Sequence, residues 1–265
     1  MDSSAPLRAS SLTFAREGNV GVRAVLTKRA TEPTDGPFCG GNLGLHVGDV
    51  PSRVLANRAR AAAAIGATLE DLIVANQVHG ADVALVTEGD RGRGATSLDD
   101  APSVDALVTE VPGVALAILV ADCVPVLFVD PVGPRIAVAH AGWRGAAGGV
   151  LEATIASLGG APVAQRLLVT LGPAIAPDAF EVGPEVVDAL GLDDDSVHVR
   201  TRGGRHVVDL VGACVDRLVA AGVDPGAIVV SAQTTGASTP YFSARAERLS
   251  GRFAIMAMIE PRMAS

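Results

Sequence analysis

The stretch VALAILVADCVPVLFVDPVGPRIAVAHA, residues 114–141, decides the fold. It contains three short apolar runs, Val114–Val120, Pro125–Val129 and Arg135–Ala139, which are separated by Asp, Cys, Gly and Pro. Runs this short and this continuously apolar are typical of β-strands that are buried on both faces. The stretch therefore predicts a core built from sheet layers that are covered on both sides.

The same kind of strand pattern recurs later in the chain, at Arg166–Leu171, Ala227–Ser231 and Phe253–Ile259. Helix-like stretches lie between the strand-like runs, at Ser52–Ile65, Ala146–Leu158, Glu185–Leu190 and Val207–Ala221. This alternation predicts the α/β class, as one domain over residues 1–265 with mixed β-sheet layers flanked by helices. Residues 1–13 are predicted to be a flexible N-terminus, and the polar stretch 191–205 a loop or a short hairpin around Gly203–Gly204.

Composition narrows the classes of function. The net charge is −8, which gives no global reason to bind nucleic acid. The chain has neither an apolar run of about 20 residues nor a secretory signal, so we expect a cytoplasmic protein without a membrane span. Three cysteines at irregular spacing do not indicate a disulfide framework. The only lysine, Lys28, fits no P-loop and leaves little basis for Schiff-base chemistry. Small molecules are the predicted partners, and the oligomeric state stays open.

Three segments each supply a potential metal ligand at the edge of a predicted strand. They are NQVHG at 76–80, ADC at 121–123 and AHAGWRG at 139–145, and they contain His79, Cys123 and His140. Two imidazoles and one thiolate suit zinc, and three protein ligands leave a fourth position for water or substrate, as in catalytic sites. A buried Cys that packs as a small apolar residue, and histidines with structural roles, are the alternative from spacing alone.

The amino-acid sequences of six segments resemble those of a known protein family. The segments are NLGLHVGD (42–49), NQVHGADV (76–83), DALVT (105–109), ADCVPVLFVDP (121–131), AHAGWRG (139–145) and LGPAIAPDAFEVG (171–183). Together they resemble the YfiH-like family, also called laccase-domain or polyphenol-oxidase proteins. The resemblance implies that His79, Cys123 and His140 bind zinc. It also implies phosphorolysis of adenosine, inosine and methylthioadenosine, an adenosine deaminase activity, and a fold related to a group of cysteine hydrolases.

Further site residues are predicted around these ligands. Asp122 precedes Cys123 and is a candidate general base or hydrogen-bond acceptor for a ligating His. Phosphorolysis needs an anion subsite, for which Arg144 and Arg58 are the candidates, the alternatives being a structural salt bridge and a solvated helix face. The resemblance also makes three residues candidates for substrate contacts: Asn42, Gln77 and Asp105.

Two other enzymatic readings compete with the zinc reading. A His₂Cys set resembles blue-copper ligation, and copper binds such ligands more tightly than zinc, but no Met follows at an axial spacing and the chain has five histidines. Alternatively, Cys123 is a nucleophile with His140 as its base, and the protein cleaves an amide in a peptidoglycan precursor. A non-enzymatic metal-dependent scaffold is a third reading. The preferred nucleoside stays open.

Overall fold

The computed structural model describes residues 9–14, 21–29, 36–38 and 40–261. In these ranges the strands are β1 (Ala9–Phe14), β2 (Val22–Thr27), β3 (Leu72–Val74), β4 (Val83–Leu85), β5 (Ala106–Thr109), β6 (Ala115–Val120), β7 (Val124–Asp130), β8 (Arg135–Ala141), β9 (Leu168–Leu171), β10 (Ala174–Ile175), β11 (Glu181–Val182), β12 (Val199–Arg202), β13 (Arg205–Val208), β14 (Ile228–Val230), β15 (Thr234–Thr235) and β16 (Phe253–Ile259). The α-helices are α1 (Pro51–Ala63), α2 (Trp143–Gly148), α3 (Val150–Leu158), α4 (Ala161–Ala164), α5 (Pro184–Leu190) and α6 (Leu210–Ala220).

Two large mixed sheets form the centre of the described structure. The first has the order β1-β2-β16-β6-β3, in which β3 runs parallel to β6 and the other neighbours are antiparallel. The second has the order β14-β9-β7-β8-β5-β4, with parallel pairs at its two edges and antiparallel pairs between them. Two smaller groups, β11-β13-β12 and β10-β15, lie outside these sheets.

The two large sheets pack face to face, and helices cover their outer faces. Ile118 and Ile255 of the five-stranded sheet share one apolar cluster with Leu127 and Val138 of the six-stranded sheet. Buried residues of α1 pack on the outer face of the five-stranded sheet. Buried residues of α3 and α6 pack on the outer face of the six-stranded sheet. The architecture is therefore four layers, helix, sheet, sheet and helix, which confirms the predicted mixed sheet layers flanked by helices.

The double burial of the central strands explains their continuous apolar sequence. Along β6, Leu116 and Ile118 point towards the second sheet, whereas Ala115 and Ala117 point towards α1. All four side chains are inaccessible to solvent. Because side chains alternate across a strand, a strand that is covered on both sides needs apolar residues at every position.

Two predicted helices have different boundaries in the structure. Residues 146–158 form parts of α2 and α3, because Gly149 between them has φ 89°, in the left-handed region that ends a helix. The last predicted helix begins at Leu210 instead of Val207, since Val207 pairs with Arg200 in the β12–β13 hairpin. The side chain of Asp209 accepts a hydrogen bond from the backbone N of Gly212 and so caps α6.

Parts of the polar stretch 191–205 and of the N-terminal segment form β-strands. Gly203 and Gly204, with φ 59° and 78°, form the two-residue turn of the predicted hairpin. Residues 1–8 lie outside the described residues, whereas residues 9–13, which were expected to be flexible, pair with β2 as part of β1. Among the described helices, the longest of which is α1 with 13 residues, none is long and apolar enough to cross a membrane.

Candidate metal centre and active site

The structure brings His79, Cys123 and His140 together. His79 lies on the connection from β3 to β4, Cys123 on the connection from β6 to β7, and His140 near the end of β8. Both connections cross from one large sheet to the other. The potential ligand atoms of the three side chains all lie within 4.8 Å of one another, and the rings of His79 and His140 meet edge to face.

The carboxylate of Asp105 organises two of these three residues. Asp105 is fully buried, and its Oδ1 accepts hydrogen bonds from His140 Nδ1 at 2.7 Å and from the backbone N of His79 at 3.0 Å. Its Oδ2 accepts from the backbone N of Gly80 at 2.6 Å and of Val78 at 3.2 Å. Because a carboxylate can only accept, Nδ1 of His140 carries a proton, and in the neutral ring Nε2 has the lone pair that a metal can take.

The same carboxylate holds the His79 backbone in an uncommon conformation. His79 has φ 61°, in the left-handed region that residues other than glycine seldom adopt. Burial raises the pKa of Asp105, but hydrogen bonds from His140 and from the backbone of Gly80 outweigh it, and the pKa falls below its usual value. Asp105 is therefore ionised at neutral pH and stabilises the His79 turn.

The electrostatics of the cluster favour a thiolate. Burial raises the pKa of Cys123, but the imidazoles of His140 and His79 lower it to about 6. Burial lowers the pKa of His140, but the Cys123 thiolate and Asp105 raise it to about 9. By contrast, burial in α6 raises the pKa of Cys214 to about 12. Cys39 lies outside the described residues.

The residues present fit a zinc ion of the catalytic type. Thiolate and imidazole are the ligands that zinc prefers, and three of them leave one position open. Gly142 follows β8 directly, and a Cβ at this position would lie 3.0 Å from Cys123 Sγ and 3.2 Å from His79 Cδ2. The absence of a side chain at Gly142 thus gives the cluster its space. In the described part of the chain, no other group of three His, Cys, Asp or Glu side chains has this geometry.

The cluster opens into a cavity of about 380 Å³. This volume is in the range of about 300–1,000 Å³ that is typical of small-molecule sites. The three potential ligands form part of its wall, and the other polar side chains of the wall are His46, Asn76, Gln77 and Arg252. No Asp or Glu among the described residues lines it.

Asn42 and Arg58, which were expected to contact substrate, are structural residues in this fold. Both are fully buried, and neither lines the cavity. Asn42 Oδ1 accepts hydrogen bonds from the backbone N of Gly44 and of Arg252, each at 2.9 Å. Arg58 donates to the carbonyl oxygens of Leu43, Gly94 and Ala95. Their polar atoms hold loops together, and a substrate contact of either residue stays a prediction.

Of the two other residues predicted to contact substrate, Gln77 lies at the cavity and Asp105 does not. Gln77 lines the cavity, but its side-chain amide pairs with the backbone N and O of Leu119, at 2.9 and 2.6 Å, and so extends the end of β6. Asp105 has no exposed surface and does not line the cavity. In the structure Asp105 positions His79 and His140, and its predicted contact with substrate stays a prediction.

Asp122 and Arg144 also have other partners than expected. Asp122, with φ 90°, accepts hydrogen bonds from Thr235 Oγ1 at 2.5 Å and from the backbone N of Arg245 at 2.7 Å, and it bonds to neither His. The expected acceptor for a ligating His is Asp105, not Asp122. Arg144 is exposed and does not line the cavity, and its guanidinium lies 4.2 Å from the ring centroid of Trp143.

Sequence reasoning missed Arg252 and gave no role to His46. Arg252 directly precedes β16, and a single arginine beside a strand carries no sequence signal for a site. His46 lies in the segment 42–49, which was quoted for the family resemblance, so a signal for it existed. Burial lowers the pKa of His46, and the charges of Arg252 and Arg58 lower it further, so its imidazole is neutral at pH 7.

The four-layer fold and the His–Cys–His cluster define a mixed α/β protein with a potential metal centre beside a small-molecule cavity. The chain belongs to the family described as multi-copper polyphenol oxidoreductase laccase, whose sequence model matches residues 23–260. The resemblance inferred from the six segments is thus confirmed.

Individual relatives cover nearly the whole chain. The purine nucleoside phosphorylase YlmD of Geobacillus stearothermophilus is 40% identical over 254 residues, 91% of this chain and 89% of YlmD. The adenosine deaminase RL5 from an unknown prokaryotic organism is 37% identical over 251 residues, 90% of this chain and 94% of RL5. The crystal structure of YlmD superimposes with a TM-score of 0.85 at 35% identity, covering 95% of this chain and 100% of that chain.

Proposed function

We propose that this chain is a zinc-dependent purine nucleoside phosphorylase that acts on adenosine, inosine and methylthioadenosine and also deaminates adenosine. The observation that carries the proposal is the convergence of His79, Cys123 and His140 on the wall of a cavity of small-molecule size. The two activities come from the names of relatives that are 40% and 37% identical to it.

Both reactions transfer a group at a purine nucleoside. In phosphorolysis, an oxygen of hydrogen phosphate bonds to C1′ of the ribose while the bond from C1′ to the purine nitrogen breaks. The purine leaves with the electron pair of that bond and takes the proton of the phosphate, which gives ribose 1-phosphate and the free base. In deamination, water replaces the amino group of adenosine, which gives inosine and ammonia.

The residues of the chain have separate tasks in this proposal. His140 Nε2, Cys123 Sγ and a ring nitrogen of His79 would hold the zinc, and Asp105 fixes the tautomer of His140. When bound, zinc supplies a Lewis acid at the cavity wall. Gln77 cannot turn towards substrate without giving up its two bonds to Leu119, so it shapes the wall instead of reading the nucleoside.

Metal analysis combined with a product screen tests the proposal. Protein prepared without added metal should contain one zinc per chain. It should convert inosine to hypoxanthine and ribose 1-phosphate only when phosphate is present, and adenosine to inosine and ammonia without phosphate. Cys123→Ala should remove zinc and both activities. The matched variant Cys214→Ala should keep them, because Cys214 is a buried residue of α6 outside the cluster. Zinc-loaded protein that converts no purine nucleoside would refute the proposal.

A cysteine amidase is the second candidate, and one observation favours it. His140 is hydrogen-bonded to both Cys123 and Asp105, so the three side chains have the arrangement of a nucleophile, its base and an orienting carboxylate. If this reading holds, metal-stripped protein should cleave amides of peptidoglycan precursors, and alkylation of Cys123 should abolish that cleavage. In the zinc reading, metal removal abolishes activity.

Copper oxidation of phenols is tested in the same preparation. The description of the family names copper and polyphenol, and copper binds a His₂Cys set more tightly than zinc does. Protein loaded with copper alone should oxidise a phenol faster than the zinc form if this reading holds. Equal rates for the copper form and for free copper would leave the zinc reading in place.

A further inference from the structure

Arg58, which is fully buried, and Arg252, which is partly buried, have no carboxylate as a hydrogen-bond partner. Arg58 makes its hydrogen bonds only to carbonyl oxygens, and its buried Nη2 has no acceptor among the described residues. Arg252 likewise uses its side chain only for carbonyl oxygens, those of Ser250 and Gly251. A buried cation without an anion is unfavourable, so such an arrangement is stabilised when an anion binds nearby.

Arg252 is the one of these two groups that reaches the cavity. Its Nη1 donates to the carbonyl oxygens of Ser250 and Gly251, both at 2.9 Å. Its Nε and Nη2 make no hydrogen bond within the described part of the chain, so one edge of the guanidinium keeps two donors for a ligand. Two parallel donors on one planar group match a pair of phosphate oxygens.

The segment 42–46 fixes Arg252 in this position. The backbone N of Arg252 donates to Asn42 Oδ1 and its carbonyl oxygen accepts from the backbone N of Leu43, both at 2.9 Å. A Cβ at Gly44 would lie 2.9 Å from Arg252 Cγ, so the stem of the arginine packs directly on this glycine. His46, two residues further on, lines the same cavity.

The charges around this end of the cavity favour an anion. His46 is close enough to Arg252 and Arg58 for both of their charges to lower its pKa. Burial lowers the pKa of Arg58 to about 10, as expected for a cation without a counter-ion. Burial lowers the pKa of Arg252, whereas the charges of the Cys123 thiolate and of Asp122 act to raise it, but neither group is hydrogen-bonded to it, and no described Asp or Glu lines the cavity.

We propose that Arg252, with His46 beside it, forms an anion subsite that binds inorganic phosphate in the same cavity as the metal cluster, and that the charge of the buried Arg58 adds to the positive potential there. The inference rests on the proposed phosphorolysis, for which it supplies the binding site of the second substrate. It is an alternative to the sequence-based expectation for Arg144, which is exposed and does not line the cavity.

Kinetics of the zinc-loaded enzyme test the subsite. Arg252→Met keeps an unbranched stem for packing on Gly44 but removes the two donors. It should raise the KM for phosphate in inosine phosphorolysis by about 10- to 100-fold, the usual effect of losing a hydrogen-bonded charge partner. Adenosine deamination in phosphate-free buffer should fall by a much smaller factor than phosphorolysis does, because that reaction uses no phosphate. Arg252→Lys should lie between wild type and Met, because it restores charge without the planar pair of donors. The matched variant Arg144→Ala should leave the KM for phosphate unchanged.

A titration of inorganic phosphate into zinc-loaded protein, followed by calorimetry, gives a readout that does not depend on activity. Wild type should bind phosphate, and Arg252→Met should bind it at least about tenfold more weakly. Gly44→Ala should have the same direction of effect, since its Cβ displaces the Arg252 stem. Thermal melting of each variant shows whether it is folded.

Three outcomes would overturn the subsite. They are an unchanged KM for phosphate in Arg252→Met, a parallel fall of phosphorolysis and deamination in folded Arg252→Met and Arg252→Lys, and a loss of phosphate affinity in Arg144→Ala alone. If the wild type shows no phosphorolysis, the proposed function fails. The calorimetric comparison of wild type with Arg252→Met then still decides whether the anion subsite exists.

Discussion

Replacing Asp105 by Asn should weaken zinc binding by about 10- to 100-fold, the usual effect of changing the partner of a metal-bound His. An amide has one accepting oxygen where the carboxylate has two. With the oxygen towards His140 and His79, the amide NH₂ faces the N–H groups of Val78 and Gly80, which lose their acceptors. With the amide reversed, the NH₂ faces His140 Nδ1 and favours the tautomer that carries its proton on Nε2, the nitrogen needed for zinc.

The same substitution should also destabilise the metal-free protein. Two partly buried N–H groups lose their acceptors, at about 1 kcal/mol each, the lower end of the usual range because water reaches part of this turn. The resulting loss of about 2 kcal/mol corresponds to a fall in Tm of about 4–8 °C for a chain of this size. The left-handed φ of His79 adds to the effect, because its backbone N bonds to the same carboxylate.

Zinc affinity is measured by competition with a chromogenic chelator, and Tm by circular dichroism in excess chelator. Asp82→Asn is the matched control: it removes a carboxylate from the connection between β3 and β4 that carries His79, but the Asp82 side chain is exposed and accepts no hydrogen bond from the described residues. It should leave both quantities unchanged. If Asp105→Asn binds zinc as tightly as wild type does, Asp105 does not set the ligand form of His140.

Three further predictions concern the cluster and its surroundings. In metal-stripped protein, iodoacetamide should label Cys123 with a rate that rises through a midpoint near pH 6, because the thiolate forms above the lowered pKa; bound zinc should block the reaction, and a midpoint near pH 9 would contradict the proposed charge pairing. Cys214, whose pKa is about 12, should stay unlabelled in the folded protein, as peptide mapping by mass spectrometry would show. Gly142→Ala should weaken zinc binding by about tenfold or more, whereas Gly148→Ala, whose Cβ would meet its nearest neighbour at 3.6 Å, should not; equal affinities in the two variants would mean that the space at Gly142 is unimportant.

The sequence predicted the layers and the residues of the His–Cys–His cluster because both depend on local patterns. The strands of residues 114–141 are continuously apolar except near their ends, and this pattern identifies double burial without knowledge of the neighbours. His79, Cys123 and His140 are chemically distinctive residues at strand edges, so their types and the family resemblance were sufficient to select them.

The parts that could not be predicted depend on contacts between distant segments. Nothing near Asp105 in the sequence shows that it accepts four hydrogen bonds from the turn at 78–80 and from His140. Arg58 has the sequence context of a solvated helix face, yet it is fully buried, because the carbonyl oxygens of two loops surround it. Arg252 becomes a cavity residue only through its pairing with Asn42 and Leu43.

His79 and Cys123 lie on the two connections that cross between the large sheets. This placement affects how long the protein persists in a cell. A metal bound by these two residues and by His140 would cross-link two sheets that otherwise pack through apolar contacts. Zinc that binds the native state but not the unfolded chain adds about 4 kcal/mol of stability at a free concentration of 1,000 times its Kd. Chains that fail to acquire the ion should therefore open more often and be removed by proteases sooner, so zinc supply would set the abundance of the protein as well as its activity.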